Sequence, residues 1–128
     1  MFDPDNYPIT IAELTHVRRE LDSVLTEDEK DRMIDWLALN PTAGDIIVAT
    51  NGVRKCRWSY GRQGKRGGLR ILYYFRDLNM PIYILAVYKK NEKLSITAGE
   101  KQMMRKLVEE LVDVYAAKRV QVIARQVG

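Results

Sequence analysis

The chain has 128 residues and a mass of 14.8 kDa, the size of one domain. Apolar residues make up 46% and charged residues 30%, which is enough for one core and too apolar for a disordered chain. The formal net charge is +4. No apolar run reaches the roughly 18–20 residues of a membrane span, and the single cysteine, Cys56, excludes a disulfide framework and a cysteine-rich zinc site.

The opening MFDPDNYP carries acid and proline where a secretory signal carries basic and apolar residues, so a cytoplasmic protein without a membrane partner is expected. Tyr7 to Leu14 is β-branched and partly alternating, which predicts a short strand. Val17, Leu21, Val24 and Leu25 recur at helical spacing over Thr15–Leu25. Thr26 with Glu29 three residues on has the spacing of a capping box. The helix it opens carries Met33, Ile34, Leu37 and Ala38 as its stripe and ends at Asn40-Pro41. The acids Glu27, Asp28 and Glu29 suit the positive end of that helix dipole. A loop follows, with an extended piece at Ile46–Ala49.

Val53–Ser59 alternates, with Val53, Lys55, Arg57 and Ser59 on one face and Arg54, Cys56 and Trp58 on the other. Tyr60–Gly68 is a glycine-rich basic loop. Leu69–Phe75 and Ile82–Tyr88 are the strongest strands, and Asn79-Met80-Pro81 between them predicts an antiparallel hairpin. After a connector at Asn91–Ile96, Thr97 and Glu100 form a second capping box. Met103, Met104, Leu107, Val108, Leu111, Val112 and Tyr115 then make a helical apolar stripe, and Val120–Val127 continues that helix or forms a tail. The expected fold class is α+β: a small antiparallel sheet with two N-terminal helices and a long C-terminal helix, the helices on one face and the other face free. The whole chain, 1–128, reads as a single domain, with 1–8 and about 118–128 as extensions.

The modest net charge hides segregation. Residues 1–50 hold 4 basic and 11 acidic side chains, and residues 51–93 hold 11 basic and 2 acidic. Arg54–Arg70 alone has seven basic residues and no acid. Such a stretch repels itself unless an anion lies nearby, and nucleic-acid phosphate is the commonest anion at this density. The alternative is a solvated loop answered by the acidic N-terminal half.

The residues narrow the chemistry. The one histidine, His16, lies in the acidic half and is expected to serve helix packing or the surface. The sheet region offers only Asp77 and Glu92, too few carboxylates for a two-metal nuclease, so no metal and no cofactor is expected. Cys56 has basic sequence neighbours but no histidine, and is expected to be packed. GRQGKRGG lacks the spacing of a phosphate-binding P-loop. Lysine, arginine and tyrosine remain as the groups that can act on a phosphate, and a site of such feeble bases needs its RNA strained by something else.

The pieces NPTAGD (40–45), NGVRKCRW (51–58), GKRGGLRILYYF (64–75) and IYILAVYKKNE (82–92), with the helix before them, resemble the RelE/HigB superfamily of type II toxins over about 100 residues. Their order and spacing together carry the resemblance. It implies a RelE-like sheet and a ribosome-dependent, metal-independent mRNA endoribonuclease, in which a 2′-hydroxyl attacks the adjacent phosphate. Carried over, Arg70 would stabilise the transition-state phosphate. Lys55 and Arg57 would contact phosphate and assist proton transfer, with Lys90 and Tyr88 as further contributors. Arg62, Lys65 and Arg66 would grip ribosomal RNA, with Arg54, Tyr74 and Lys89 as further RNA contacts. Strand alternation sets Tyr74 on the face of Arg70 and sends Tyr73 and Phe75 to the core. The implied partners are the ribosome, mRNA and a cognate antitoxin of helix-turn-helix type. A gyrase-inhibiting toxin, or a non-catalytic module that binds nucleic acid or protein, is the alternative.

Overall fold

The computed structural model describes residues 11–60, 68–89 and 95–127, with side chains through residue 117. In chain order the elements are β1 (Ile11–Glu13), α1 (Thr15–Val24), α2 (Glu27–Leu39), β2 (Asp45–Ile46), β3 (Val53–Trp58), β4 (Leu69–Tyr74), β5 (Ile82–Lys89) and α3 (Ala98–Val127). The class is α+β, and the five strands form one sheet in the order β1-β5-β4-β3-β2. β2, β3, β4 and β5 pair antiparallel in turn. The sheet is mixed rather than wholly antiparallel, because β1 runs parallel to β5, with Ile11 opposite Ile82 and Glu13 opposite Ile84.

Both capping boxes form. Glu29 N donates to Thr26 Oγ1 at 3.2 Å, and Thr26 N donates to Glu29 Oε1 at 3.3 Å. The Thr97–Glu100 pair repeats the exchange at 3.1 Å in both directions. These bonds satisfy N–H groups that a helix start otherwise leaves open. The strand expected over Tyr7–Leu14 is present as Ile11–Glu13, and residues 7–10 lie outside the described residues, as does the extension proposed at 1–8. The extended piece expected at Ile46–Ala49 is shifted to Asp45–Ile46. Residues 48–51 instead form a turn, in which Thr50 Oγ1 donates to Ile47 O at 2.7 Å and accepts from Val53 N at 3.1 Å. The helix begun at Ala98 continues through Val127, so residues 118–127 extend α3.

Helices cover both faces of the sheet, contrary to the expectation of one free face. Val17, Leu21, Leu25, Met33 and Leu37 of the α1–α2 side pack on Leu69, Ile71, Tyr73, Ile82, Ile84 and Val87. On the opposite face Met104 and Val108 of α3 pack on Val53, Leu72, Tyr74 and Leu85. The physical reason is in β4 and β5. LRILYY and IYILAV are nearly continuous apolar runs, so both of their faces need cover. Lys30 joins the N-terminal elements, reaching Glu13 of β1 at 3.1 Å and Asp22 of α1 at 3.0 Å. Burial pulls the Lys30 pKa down, but its hydrogen bonds and charge pairing with Asp22 and Glu13 outweigh that and raise it.

Tyr73 anchors the loop between α2 and β2. Its hydroxyl donates to Pro41 O at 2.9 Å and accepts from Gly44 N at 2.9 Å. A Cβ on Gly44 would lie 2.9 Å from Lys55 O and 2.9 Å from the Tyr73 hydroxyl, so only glycine fits. Removing the hydroxyl leaves a buried N–H unpaired, which costs about 1–3 kcal/mol. Tyr73→Phe is therefore expected to lower the unfolding free energy by that amount, seen by circular dichroism as a lower urea midpoint with an unchanged m-value.

Candidate phosphate-binding site

The pairing of the three long strands sets the site. Arg57 of β3 lies opposite Arg70 of β4, and Arg70 lies opposite Tyr88 of β5. The three make one row across the sheet. Directly opposed residues share a face and hold their Cβ atoms about 4.5–5.5 Å apart. The next row toward α3 is Lys55, Leu72 and Ala86. This is the face on which α3 packs, but Met104 and Val108 bury the Val53, Leu72, Tyr74 and Leu85 end of it. The Arg57–Arg70–Tyr88 row lies beyond them, with Tyr88 at the margin of the packed cluster.

Two opposed guanidinium groups are unfavourable without an anion. Among the described residues no ion pair joins Arg54, Lys55, Arg57 or Arg70 to a carboxylate. Asp45 lies opposite Lys55 across β2 and β3, yet the two form no ion pair. Arg70 is half-buried, and its Nη1 atom is buried with no hydrogen-bond partner among the described residues. A guanidinium N–H held from water without an acceptor is a costly arrangement, and an anion seated in the row would relieve it. Arginine suits that task because its planar fork meets two oxygens of a phosphate at once.

The structure thus brings together Arg57, Arg70 and Tyr88, with Lys55 one row away. It does not bring the other expected residues to the row. Arg54 faces the α1–α2 side, where its Nη1 donates to Gly44 O at 2.8 Å and Thr42 O at 3.3 Å, so it holds the loop that Tyr73 also anchors. Lys89 is one residue out of phase with Tyr88 and lines a groove beside α1 with Glu20, Val24 and Val87. Tyr74, expected to reach RNA, is only 8% exposed, because α3 covers it with Val108 and Met104. Burial raises the Tyr74 hydroxyl pKa. Alternation placed Tyr74 on the right face; what it missed was the helix over that face. The near-unbroken apolar run of β4 was the available signal. Arg62, Lys65, Arg66 and Lys90 lie outside the described residues.

Cys56 belongs to the opposite face, packed against the α1–α2 core. Burial raises its thiol pKa from the ordinary 9.0 to about 11, and the cations beside it in sequence point away. His16 is exposed, with Nε2 3.3 Å from Leu85 O. Sequence reasoning gave no role to Gly68, yet a Cβ there would stand 3.2 Å from Arg57 Cγ. Among the described residues no helix is long and apolar enough to cross a membrane. No protein-family model matches the sequence.

Two outcomes follow from this geometry. A raised thiol pKa keeps Cys56 neutral below it, so at pH 8 its thiolate fraction is about one in a thousand. Iodoacetamide is expected to label folded protein slowly at pH 8, with the rate climbing about tenfold per pH unit until the pH nears 11. Arg70→Met removes the unpartnered donor and keeps a long apolar stem. Its melting temperature is expected to equal or exceed that of wild type, read by thermal unfolding at low phosphate.

Proposed function

We propose that the protein is a toxin with the RelE-like fold and activity of the RelE/HigB superfamily, an endoribonuclease that cuts mRNA on the ribosome and is neutralised by a cognate antitoxin. The observation that carries the reading is Arg70: a guanidinium with a buried, unpartnered nitrogen, opposed by Arg57, with no carboxylate paired to either among the described residues. That is a receptacle for a phosphate whose charge is about to rise. The α+β sheet supports the reading by aligning the row across three neighbouring strands, beyond the part of the sheet that Met104 and Val108 of α3 bury, with Tyr88 at the margin of that cluster.

In the proposed reaction a 2′-hydroxyl of the bound RNA attacks the adjacent phosphorus. The P–O2′ bond forms and the P–O5′ bond breaks, leaving a 2′,3′-cyclic phosphate and a 5′-hydroxyl. The phosphorus passes through a five-bonded state with extra negative charge on its non-bridging oxygens. Arg70 and Arg57 meet those oxygens with charge-assisted hydrogen bonds that strengthen as the charge develops. One proton leaves O2′ and one reaches O5′. We assign these transfers to Tyr88 in the row and Lys55 beside it, and a phenol and an amine as chemical classes make feeble catalysts of proton transfer compared with an imidazole. The rate must therefore come from alignment, with the ribosome holding the RNA in line. The groups of the row are cations and a phenol, so the chemistry is assigned to no metal and no cofactor.

The test is cleavage of a defined transcript by purified protein in a reconstituted translation mixture, with and without ribosomes. Wild type is expected to cut only with ribosomes, leaving 5′-hydroxyl ends. Arg70→Ala is expected to lose about 10²–10³ in rate with its circular dichroism unchanged. Intact mRNA with folded wild-type protein would overturn the proposal.

A further inference from the structure

Arg57 extends from a strand whose edge neighbour is only two residues long and pairs with Arg54 and Lys55, so among the described residues no strand lies beside Arg57 on that side. What lies beside it is Gly68, the residue that leads into β4. Gly68 is buried and sits two residues before Arg70, on the same face of the strand. A Cβ built on Gly68 would come within 3.2 Å of Arg57 Cγ and 3.6 Å of Arg57 Cδ, and within 3.3 Å of Trp58 O. The Arg57 stem therefore lies across the bare Cα of Gly68. Gly52 is the one described glycine in the left-handed region, so Gly68 has a backbone that other residues adopt. What glycine supplies at this position is space.

We infer that Gly68 is a positioning residue for the phosphate site: its missing side chain lets the Arg57 stem lie against β4, so that Arg57 and Arg70 address one phosphate together. A methyl at 68 meets a backbone oxygen on one side, so the stem has to yield. It gives by a few tenths of an ångström, which carries the Arg57 guanidinium off the position it takes opposite Arg70. The inference rests on the phosphate-site reading above for its functional meaning, but the placement of Arg57 by Gly68 is measurable without turnover.

The experiment is a double-mutant cycle of Gly68→Ala and Arg57→Ala, with two readouts. In ribosome-programmed cleavage, Gly68→Ala is expected to be slower by roughly 3- to 10-fold, because a shift of a few tenths of an ångström is a fraction of the 1 Å misplacement that costs about 10²-fold. In the Arg57→Ala background, where the stem is absent, Gly68→Ala is expected to change nothing further, because both changes remove one contribution. A loss of equal size in both backgrounds, or full activity of Gly68→Ala, overturns the inference, since the glycine would then serve something other than Arg57. The second readout is the Nε–Hε cross-peak of Arg57, assigned by its loss in Arg57→Ala and titrated with inorganic phosphate. Gly68→Ala is expected to shift the peak and weaken the titration several-fold with a melting temperature close to wild type. An unshifted peak with the same titration overturns the inference. If wild type cuts no mRNA, the ribonuclease proposal falls alone, and this titration decides the inference.

Discussion

The antiparallel register of β4 with its two neighbours is the constraint on which the rest depends. β4 is central and buried, and its alternating residues feed two cores: Leu69, Ile71 and Tyr73 meet α1 and α2, while Leu72 and Tyr74 meet α3. A slip of one residue would exchange those sets and turn Arg70 into the α1–α2 core. The packing that fixes the register therefore also fixes where the arginine points. The same register aligns Arg57 and Tyr88 with it, so three residues far apart in sequence become one row.

The polar ties of the fold lie around this row rather than at it. Apolar packing, two capping boxes and the Lys30 network secure the helices. Tyr73 and Arg54 tie the loop before β2 to the sheet from the α1–α2 side. Tyr88 touches the margin of the α3 packing, but among the described residues none of these hydrogen bonds and ion pairs reaches Arg57 or Arg70. There two like charges face one another, and a buried donor lacks an acceptor among the described residues. Stability is given up at the place where a ligand would restore it, which is the usual relation between a binding site and its scaffold.

Cations adjacent in sequence divide between two tasks. Arg54 and Arg57 are three residues apart on one strand, yet alternation sends them to opposite faces. Arg54 meets backbone carbonyls and becomes part of the structure. Arg57 lies opposite Arg70 in the strand pair, has no ion pair among the described residues, and has a glycine beneath its stem. Cys56 between them shows the same logic, since its sequence neighbours are basic but its real surroundings are apolar, and its thiol pKa moves up rather than down.

Much of the architecture was legible in the sequence. Helix starts were written in Thr26–Glu29 and Thr97–Glu100, because capping is local chemistry between residues three apart. The strands of the sheet's centre were written in LRILYYF and IYILAVY, and the turn between them in Asn79-Met80-Pro81. The faces of β3 were also correct, since side-chain alternation is a property of the strand alone. The parallel pairing of β1 with β5 was not legible, because it joins segments separated by most of the chain. Nor was the cover of Tyr74 by α3, which depends on where a distant helix docks. Sequence pattern by itself determined which residues are cationic, apolar or helix-starting, because those are local properties. Only the tertiary structure decided that Arg57, Arg70 and Tyr88 meet, that Arg54 turns away and that Gly68 lies under Arg57, because register and docking are set by contacts between elements.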